Sequence, residues 1–253
     1  YELLGGAVRP LAITCRFSMG AYPIDRARKR AAELVEEGFE TIKVKVGTEI
    51  DEDVARVTAV RETMGGERDL VIDANAGWDA ATAIEAMRRM KDLDVGLFEQ
   101  PTTKGDFHAL AEVRREISCP VMADDIVFDL PDVIECIRHE ACDVISLYPG
   151  KNGGIRKAWE MAELAGQHGV ACSIGSNLEF DIAAAAMCHL VVACPNMQVE
   201  TYPGDILGPD YHEARVATNP ISVNGPVIET PTGPGLGVEV DWNEVARLAP
   251  ASD

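Results

Sequence analysis

The sequence predicts an α/β fold, a closed barrel of the (β/α)8 type, on three observations. Short apolar runs alternate with longer amphipathic segments, the runs number eight, and Gly or Pro marks many of the joins. Strands that alternate with helices pair in parallel, and eight such units close a sheet on itself. The competing architecture is an open doubly wound sheet. The Gly-x-Gly-x-x-Gly turn that would mark its dinucleotide crevice does not follow the first run.

The elements follow in order. Run 11–17 precedes a helical pattern over 24–37 that stops at Glu37-Gly38, and run 41–46 precedes a helix over 51–64. Run 70–72 leads to a helix over 79–91, for which Asp79 is a suitable N-cap. Run 95–98 is followed by a helix over 107–116, and Ser118-Cys119-Pro120 breaks the chain before run 121–123. A helix over 130–138, run 144–147 and a helix over 154–168 come next, ending at His168-Gly169. Run 170–174, a helix over 180–193 and run 197–199 complete the set. The expected division is a barrel domain over 1–219 and a Pro- and Gly-rich segment of the same domain over 220–253, wrapping over the outside or one end.

A chain of 253 residues, 47% apolar, can bury one large core, so a single domain of barrel size is expected. With 42 acidic against 23 basic residues the net charge is −19, which argues against nucleic acid or an anionic membrane as partner. The seven cysteines, Cys15, Cys119, Cys136, Cys142, Cys172, Cys188 and Cys194, form no Cys-x-x-Cys pair and lie mostly in apolar stretches. Buried free thiols in a reducing cytoplasm are expected rather than disulfides or a zinc site. No apolar run has the length of a membrane span and no signal peptide is visible. The five histidines show no metal-ligand spacing, and Gly150 to Gly154 lacks the ending of a phosphate loop. The chain lacks a starting Met and opens inside a structured-looking stretch, Tyr1 to Gly6, which suggests that an N-terminal domain has been left out.

Ionisable side chains stand at the ends of five successive runs: Lys43 and Lys45, then Asp73, Glu99, Asp124 and Tyr148. They recur 24 to 28 residues apart from Lys45 onward, about one strand-helix unit, so all return to the same rim of the barrel. Three carboxylates on adjacent strands repel one another unless a cation lies between them. Hard oxygen ligands suit Mg²⁺, with Mn²⁺ as a substitute. Lys43 and Lys45 are two apart and share one strand face, toward the interior. Neighbouring ammonium groups depress each other's pKa, which leaves one able to accept a proton. A base beside a divalent cation points to abstraction of the weakly acidic proton next to a carboxylate, with the cation stabilising the enediolate.

These residues resemble the mandelate racemase and muconate-lactonizing group of the enolase superfamily. Lys43-Val44-Lys45 resembles its Lys-x-Lys motif, Asp73-Ala74-Asn75 and Glu99-Gln100-Pro101 its first two ligand motifs, and Ala123-Asp124-Asp125 the third. Lys151-Asn152-Gly153-Gly154 and Pro234 to Val238 match a later turn and the closing segment. The resemblance implies a modified TIM barrel, (β/α)7β, with Asp73, Glu99 and Asp124 as Mg²⁺ ligands. It also implies Lys45 as base and Lys43 as its pKa-lowering neighbour. Asn75, Asp125, Lys151, Asn177 and Glu179 are expected beside the site or the substrate; Asn75 is assigned there because it shares a strand face with Asp73. A homo-oligomer and a small carboxylate substrate are further implications, as is an N-terminal capping domain that this chain does not contain.

One departure bears on mechanism. The muconate-lactonizing branch carries a second catalytic Lys where this sequence has Tyr148, and Asp125 replaces a Glu expected to interact with that Lys. A phenol is a poor base at neutral pH but a usable acid or hydrogen-bond donor. One-base chemistry is therefore expected: Lys45 moves the proton and Tyr148 assists a leaving group or the enolate, in a cycloisomerase or a dehydratase. The alternatives are a racemase or epimerase of an amino-acid-like substrate, a non-catalytic enolase-like metal-binding protein, and a Schiff-base aldolase using Lys45. The last fits three strand-end carboxylates poorly.

Overall fold

The structure is a computed structural model in which residues 1–249 are described; the last four residues of the tail segment read above lie outside the described residues. After a 3-10 turn at Glu2–Leu4 come β1 (Ala12–Thr14), β2 (Phe17–Met19), α1 (Ile24–Glu36), β3 (Thr41–Lys45), α2 (Ile50–Met64) and β4 (Asp69–Asp73). They are followed by α3 (Ala80–Arg89), β5 (Val95–Glu99), α4 (Phe107–Glu116), β6 (Val121–Ala123), α5 (Leu130–His139) and β7 (Val144–Leu147). The chain continues through α6 (Ile155–Gln167), β8 (Ala171–Ile174), α7 (Asp181–Ala193), β9 (Val223–Asn224), β10 (Val227–Glu229) and α8 (Trp242–Leu248). No helix among the described residues is long and apolar enough to cross a membrane.

Strands β2 to β8 form one parallel seven-stranded sheet in chain order, with α1 to α6 as crossovers, so the fold is α/β and barrel-like as expected. Two of the eight apolar runs behave differently from the others. Run 11–17 breaks at Cys15 and Arg16, whose amides donate to Pro226 O and Gly204 O at 2.7 and 2.8 Å. The first half becomes β1, in an antiparallel sheet with β10 and β9, and the second half becomes β2. Run 197–199 forms no strand but an isolated parallel bridge, Cys172 to Met197. Its segment bonds β8 on one side and, through Gly204, Arg16 on the other, and so fills the gap between β8 and β2. The local pattern was apolar in both runs; partners distant in sequence decided the pairing.

Alternate strand residues face opposite ways and build two cores. Outward residues such as Ile42, Val44, Leu70, Ile72, Phe98 and Ile145 are fully buried, in one cluster with Leu34, Val60, Leu110 and Ala162 of the helices. Each contributes about 1.5–3 kcal/mol by leaving water. Inward residues Val71, Leu97, Met122, Val144 and Ala171 form a second cluster, with Tyr202 packed against it. This layer lies toward the N-terminal ends of the strands and plugs the lumen. Helix α3 starts where expected, with the Asp79 carboxylate accepting the Thr82 amide at 2.7 Å. All seven cysteines are free and buried, in keeping with the thiol reading.

The tail folds back on the start of the chain. The Thr230 amide and hydroxyl both donate to Leu11 O, at 2.9 and 2.7 Å. Asp181, at the start of α7, collects Arg215 and the Val216 and Ile221 amides, which fastens the approach to that tail.

Candidate active site

The inward parity that fills the floor of the lumen with apolar groups brings charged groups to its mouth. Lys45, Asp73 and Glu99 are consecutive register partners on β3, β4 and β5. Asp124 and Tyr148 lie one residue beyond the ends of β6 and β7. All five return to one rim, as their spacing predicts. The turns behind them are tight: a Cβ on Gly47 would lie 2.2 Å from Ala74 O, so only glycine lets the loop after β3 rest on the loop after β4.

The three acids are nearly excluded from water and each meets a cation. Asp73, Glu99 and Asp124 are 0%, 1% and 8% exposed. Lys43 donates to Asp73 Oδ2 at 2.9 Å and Glu99 Oε1 at 3.0 Å, and Lys45 donates to Asp73 Oδ2 at 2.5 Å. Lys151 donates to Asp124 Oδ1 at 2.6 Å and to the carbonyls of Asp124 and Ser146, both at 2.9 Å. Arg16, with no exposed surface, donates from Nη2 to Glu99 Oε2 at 2.5 Å.

These pairings decide the ionisation of the site. Burial alone would push the Glu99 carboxyl up, but Arg16, then Lys43 and Lys45, hold it well below the usual carboxylate range. Asp124 stands above its ordinary value because burial outweighs Lys151. Burial and Arg16 push Lys43 down, yet Asp73 and Glu99 carry it above the ordinary lysine value. Burial, followed by Asp124, Asp125, Glu179 and Glu99, pushes the Tyr148 phenol far above its usual value, so it stays protonated.

Asn75 reaches the site by a route other than the strand face assigned to it. It lies past β4 with φ of 43°, and its amide donates to Asp73 Oδ1 at 2.9 Å. Its side-chain oxygen accepts from Lys45, and its Nδ2 donates to Asp125 Oδ2 at 3.1 Å. Asp125 also pairs with Lys104 at 3.0 Å. Tyr148 packs over Gly175, where a Cβ would come within 2.6 Å of its ring, and the Lys151 ammonium lies 4.6 Å from the ring centroid. Glu179 turns back on its own loop, accepting from the Ser176 hydroxyl at 2.7 Å and the Asn177 amide at 3.0 Å. Asn177 is exposed and joins the network through that amide.

Two participants escaped the sequence reading. Arg16 was hidden inside an apolar run read as one strand. Gln100 has φ of 35°, and its Oε1 accepts the Asp124 amide at 2.9 Å, which ties the end of β5 to the residue after β6. Its place inside Glu99-Gln100-Pro101 was the only available signal.

Among the described residues, no three His, Cys, Asp or Glu side chains are gathered as a ready metal-binding group. Ammonium groups are interleaved with the acids instead. The donor set nevertheless fits a hard divalent cation: it is all oxygen, it is buried, and Asp73 and Glu99 already converge on a single positive charge.

Comparison with known proteins agrees with this arrangement. The family model described as "Enolase C-terminal domain-like" matches residues 26–245. Muconate cycloisomerase 1 of Rhodococcus opacus is 34% identical over 97% of this chain and 65% of its own length. The dipeptide epimerase of Enterococcus faecalis, solved in complex with Mg and the dipeptide L-Leu-L-Tyr, superposes with a TM-score of 0.89 at 32% identity. That match covers 94% of this chain and 66% of the other. The 2-chloromuconate cycloisomerase of Rhodococcus opacus 1CP gives 0.93 at 27% identity, over 98% and 67%. The chain thus spans about two thirds of the length of the relatives it matches. Matched over most of its own length by a family model and by sequence, it belongs to the enolase C-terminal domain-like family, the barrel portion of the superfamily that includes muconate cycloisomerases and dipeptide epimerases.

Proposed function

We propose that this chain is the barrel portion of an isomerase that uses Mg²⁺, or Mn²⁺ in its place, to remove the proton next to a carboxylate of a small acid. The observation that carries the reading is the position of Lys45. Its ammonium lies 2.5 Å from Asp73 Oδ2, and its side chain is 29% exposed at the mouth, whereas that of Lys43 is 8% exposed. Lys45 can therefore meet a substrate held against the acids, and Lys43 fixes Asp73 and Glu99 from below. Asp73, Glu99 and Asp124 would hold the cation, which supplies positive charge to the enediolate oxygens when bound. The relative solved with Mg and a dipeptide supports both the cation and the substrate class.

Tyr148 makes the chemistry one-sided. A phenol raised by burial can donate to the enolate or to a leaving group and is a poor base at neutral pH. That favours a cycloisomerase, or a dehydratase, over two-base racemisation. Epimerisation remains the second reading because epimerases are among the relatives. Burial of every thiol supports a reducing, cytoplasmic setting, and a homo-oligomer belongs to the same reading.

The test is incubation of the full-length protein with Mg²⁺ in D₂O against a panel of chiral carboxylic acids, followed by NMR. Exchange at the α-carbon of one stereoisomer, with ring closure or loss of water, is the expected result. Exchange and inversion of both stereoisomers would replace the one-base reading by epimerisation. A loaded protein that exchanges no panel member would count against catalysis.

A further inference from the structure

Each acid at the mouth has one oxygen held by a donor outside the Lys43 and Lys45 pair. Asp73 Oδ1 accepts the Asn75 amide at 2.9 Å, Asp124 Oδ1 accepts Lys151 at 2.6 Å, and Glu99 Oε2 accepts Arg16 at 2.5 Å. The second oxygen of each acid, Asp73 Oδ2, Glu99 Oε1 and Asp124 Oδ2, is the one that could turn to a cation; the first of these also accepts from Lys45 at 2.5 Å. The first two are the oxygens that meet on the Lys43 ammonium.

Resting on the Mg²⁺ reading above, we infer that Arg16 sets which divalent cation the site accepts. By keeping Oε2 of Glu99 it leaves that carboxylate one oxygen, Oε1, to offer a cation, which favours Mg²⁺ and Mn²⁺ over Ca²⁺. The reason is coordination geometry. Mg²⁺ demands a near-ideal octahedron and usually takes one oxygen from each of its carboxylates, whereas Ca²⁺ takes about six to eight oxygens and gains from bidentate carboxylates. For Glu99 to chelate with both oxygens, Arg16 would have to let go.

Arg16 is built not to let go. Glu99 is its one ion-pair partner among the described residues, its Nε and Nη1 find no hydrogen-bond partner there, and the residue has no exposed surface. Losing Glu99 would leave a buried charge uncompensated. The backbone is pinned as well, since the Cys15 and Arg16 amides bond Pro226 O and Gly204 O on different neighbouring segments. Arg16 is thus a positioning residue that acts through Glu99 and does not itself reach the mouth.

Calorimetric titration of the full-length protein with Mg²⁺, Mn²⁺ and Ca²⁺, without substrate, tests this. Wild type is expected to bind Mg²⁺ at least about tenfold more tightly than Ca²⁺. Arg16→Met removes the lock and should shrink that ratio about tenfold, with Arg16→Lys between the two. The ratio separates denticity from charge, because both cations are divalent and feel the lost guanidinium alike. A folded Arg16→Met with an unchanged Ca²⁺/Mg²⁺ ratio overturns the inference. So does wild type that binds Ca²⁺ as tightly as Mg²⁺, a result that needs no variant and stands even if Arg16→Met does not fold. Wild type that binds none of the three metals would instead overturn the Mg²⁺ reading on which the inference rests.

Discussion

The floor and the mouth of the lumen are built from the same strands by the same inward-facing parity, yet they are opposites. At the floor, Val71, Leu97, Met122, Val144 and Ala171 close on one another with Tyr202. One step up the same strands, Val71 gives way to Asp73, Leu97 to Glu99 and Met122 to Asp124, and Lys45 stands beside them. A two-residue step, about 7 Å along a strand, separates packing from chemistry. Facing inward does not define a site; height along the strand does, except that Lys43, in register with Val71, reaches up from the floor to Asp73 and Glu99.

The sharpest way to break this division is to change one group at each end. Lys45→Ala should lower turnover by about 10²–10⁴-fold, the usual weight of a positioned acid or base, and abolish α-proton exchange. Metal binding and melting temperature should hardly change, because Lys45 is the partly exposed lysine of the pair. A variant that keeps exchange would transfer the base to another group. At the floor, Met122→Ala should cost about 2–5 kcal/mol of stability by opening a cavity in a fully buried layer. Calorimetric melting would show the loss, and metal affinity should stay within about twofold because Met122 offers no oxygen to a cation. A large affinity change would mean that floor and mouth are mechanically coupled.

Tyr148→Phe probes the mouth more gently. The ring remains over Gly175 and beside Lys151, so packing is kept and only the hydroxyl is lost. Turnover should fall about 10²-fold, at the low end for a proton donor, with metal binding intact. Near wild-type turnover would leave Tyr148 as rim packing.

The same division explains what the sequence could and could not disclose. Asp73, Glu99 and Asp124 were legible because each ends an apolar run and the runs recur at one unit length. Lys43 and Lys45 were legible because a two-residue spacing in a strand means one face. Arg16 was not, because the break in its run comes from Pro226 and Gly204, about two hundred residues away. Residues 197–199 have strand-like composition, yet they meet β8 at a single bridge before the chain turns toward Arg16. Asn75 was assigned to the right neighbourhood for the wrong reason, since its left-handed backbone turns its amide, rather than a strand face, toward Asp73.

The smallest expected effect concerns an acid at the mouth end of the fold that is structural throughout. Asp181 is fully buried at the first turn of α7, with Oδ1 accepting from Arg215 at 2.5 Å and from the Ile221 amide at 3.0 Å. Burial works against its charge, but Arg215 and those amides win and hold the carboxyl below its ordinary value. A carboxyl depressed in the folded state adds stability that is fully present above its unfolded pKa of about 3.9 and is lost as pH falls through the folded value. Asp181→Asn should therefore be less stable than wild type at pH 7, and the gap should narrow below about pH 4. Urea midpoints of both proteins at pH 7 and about pH 3.5 measure it, each unit of depression being worth about 1.4 kcal/mol. A gap that stays constant over this range would mean that Asp181 acts through shape and hydrogen bonds alone. A closing gap would set it apart from Asp73 and Glu99: its two oxygens are taken up by the Arg215 guanidinium and by backbone amides, whereas each of those acids turns one oxygen to the Lys43 ammonium.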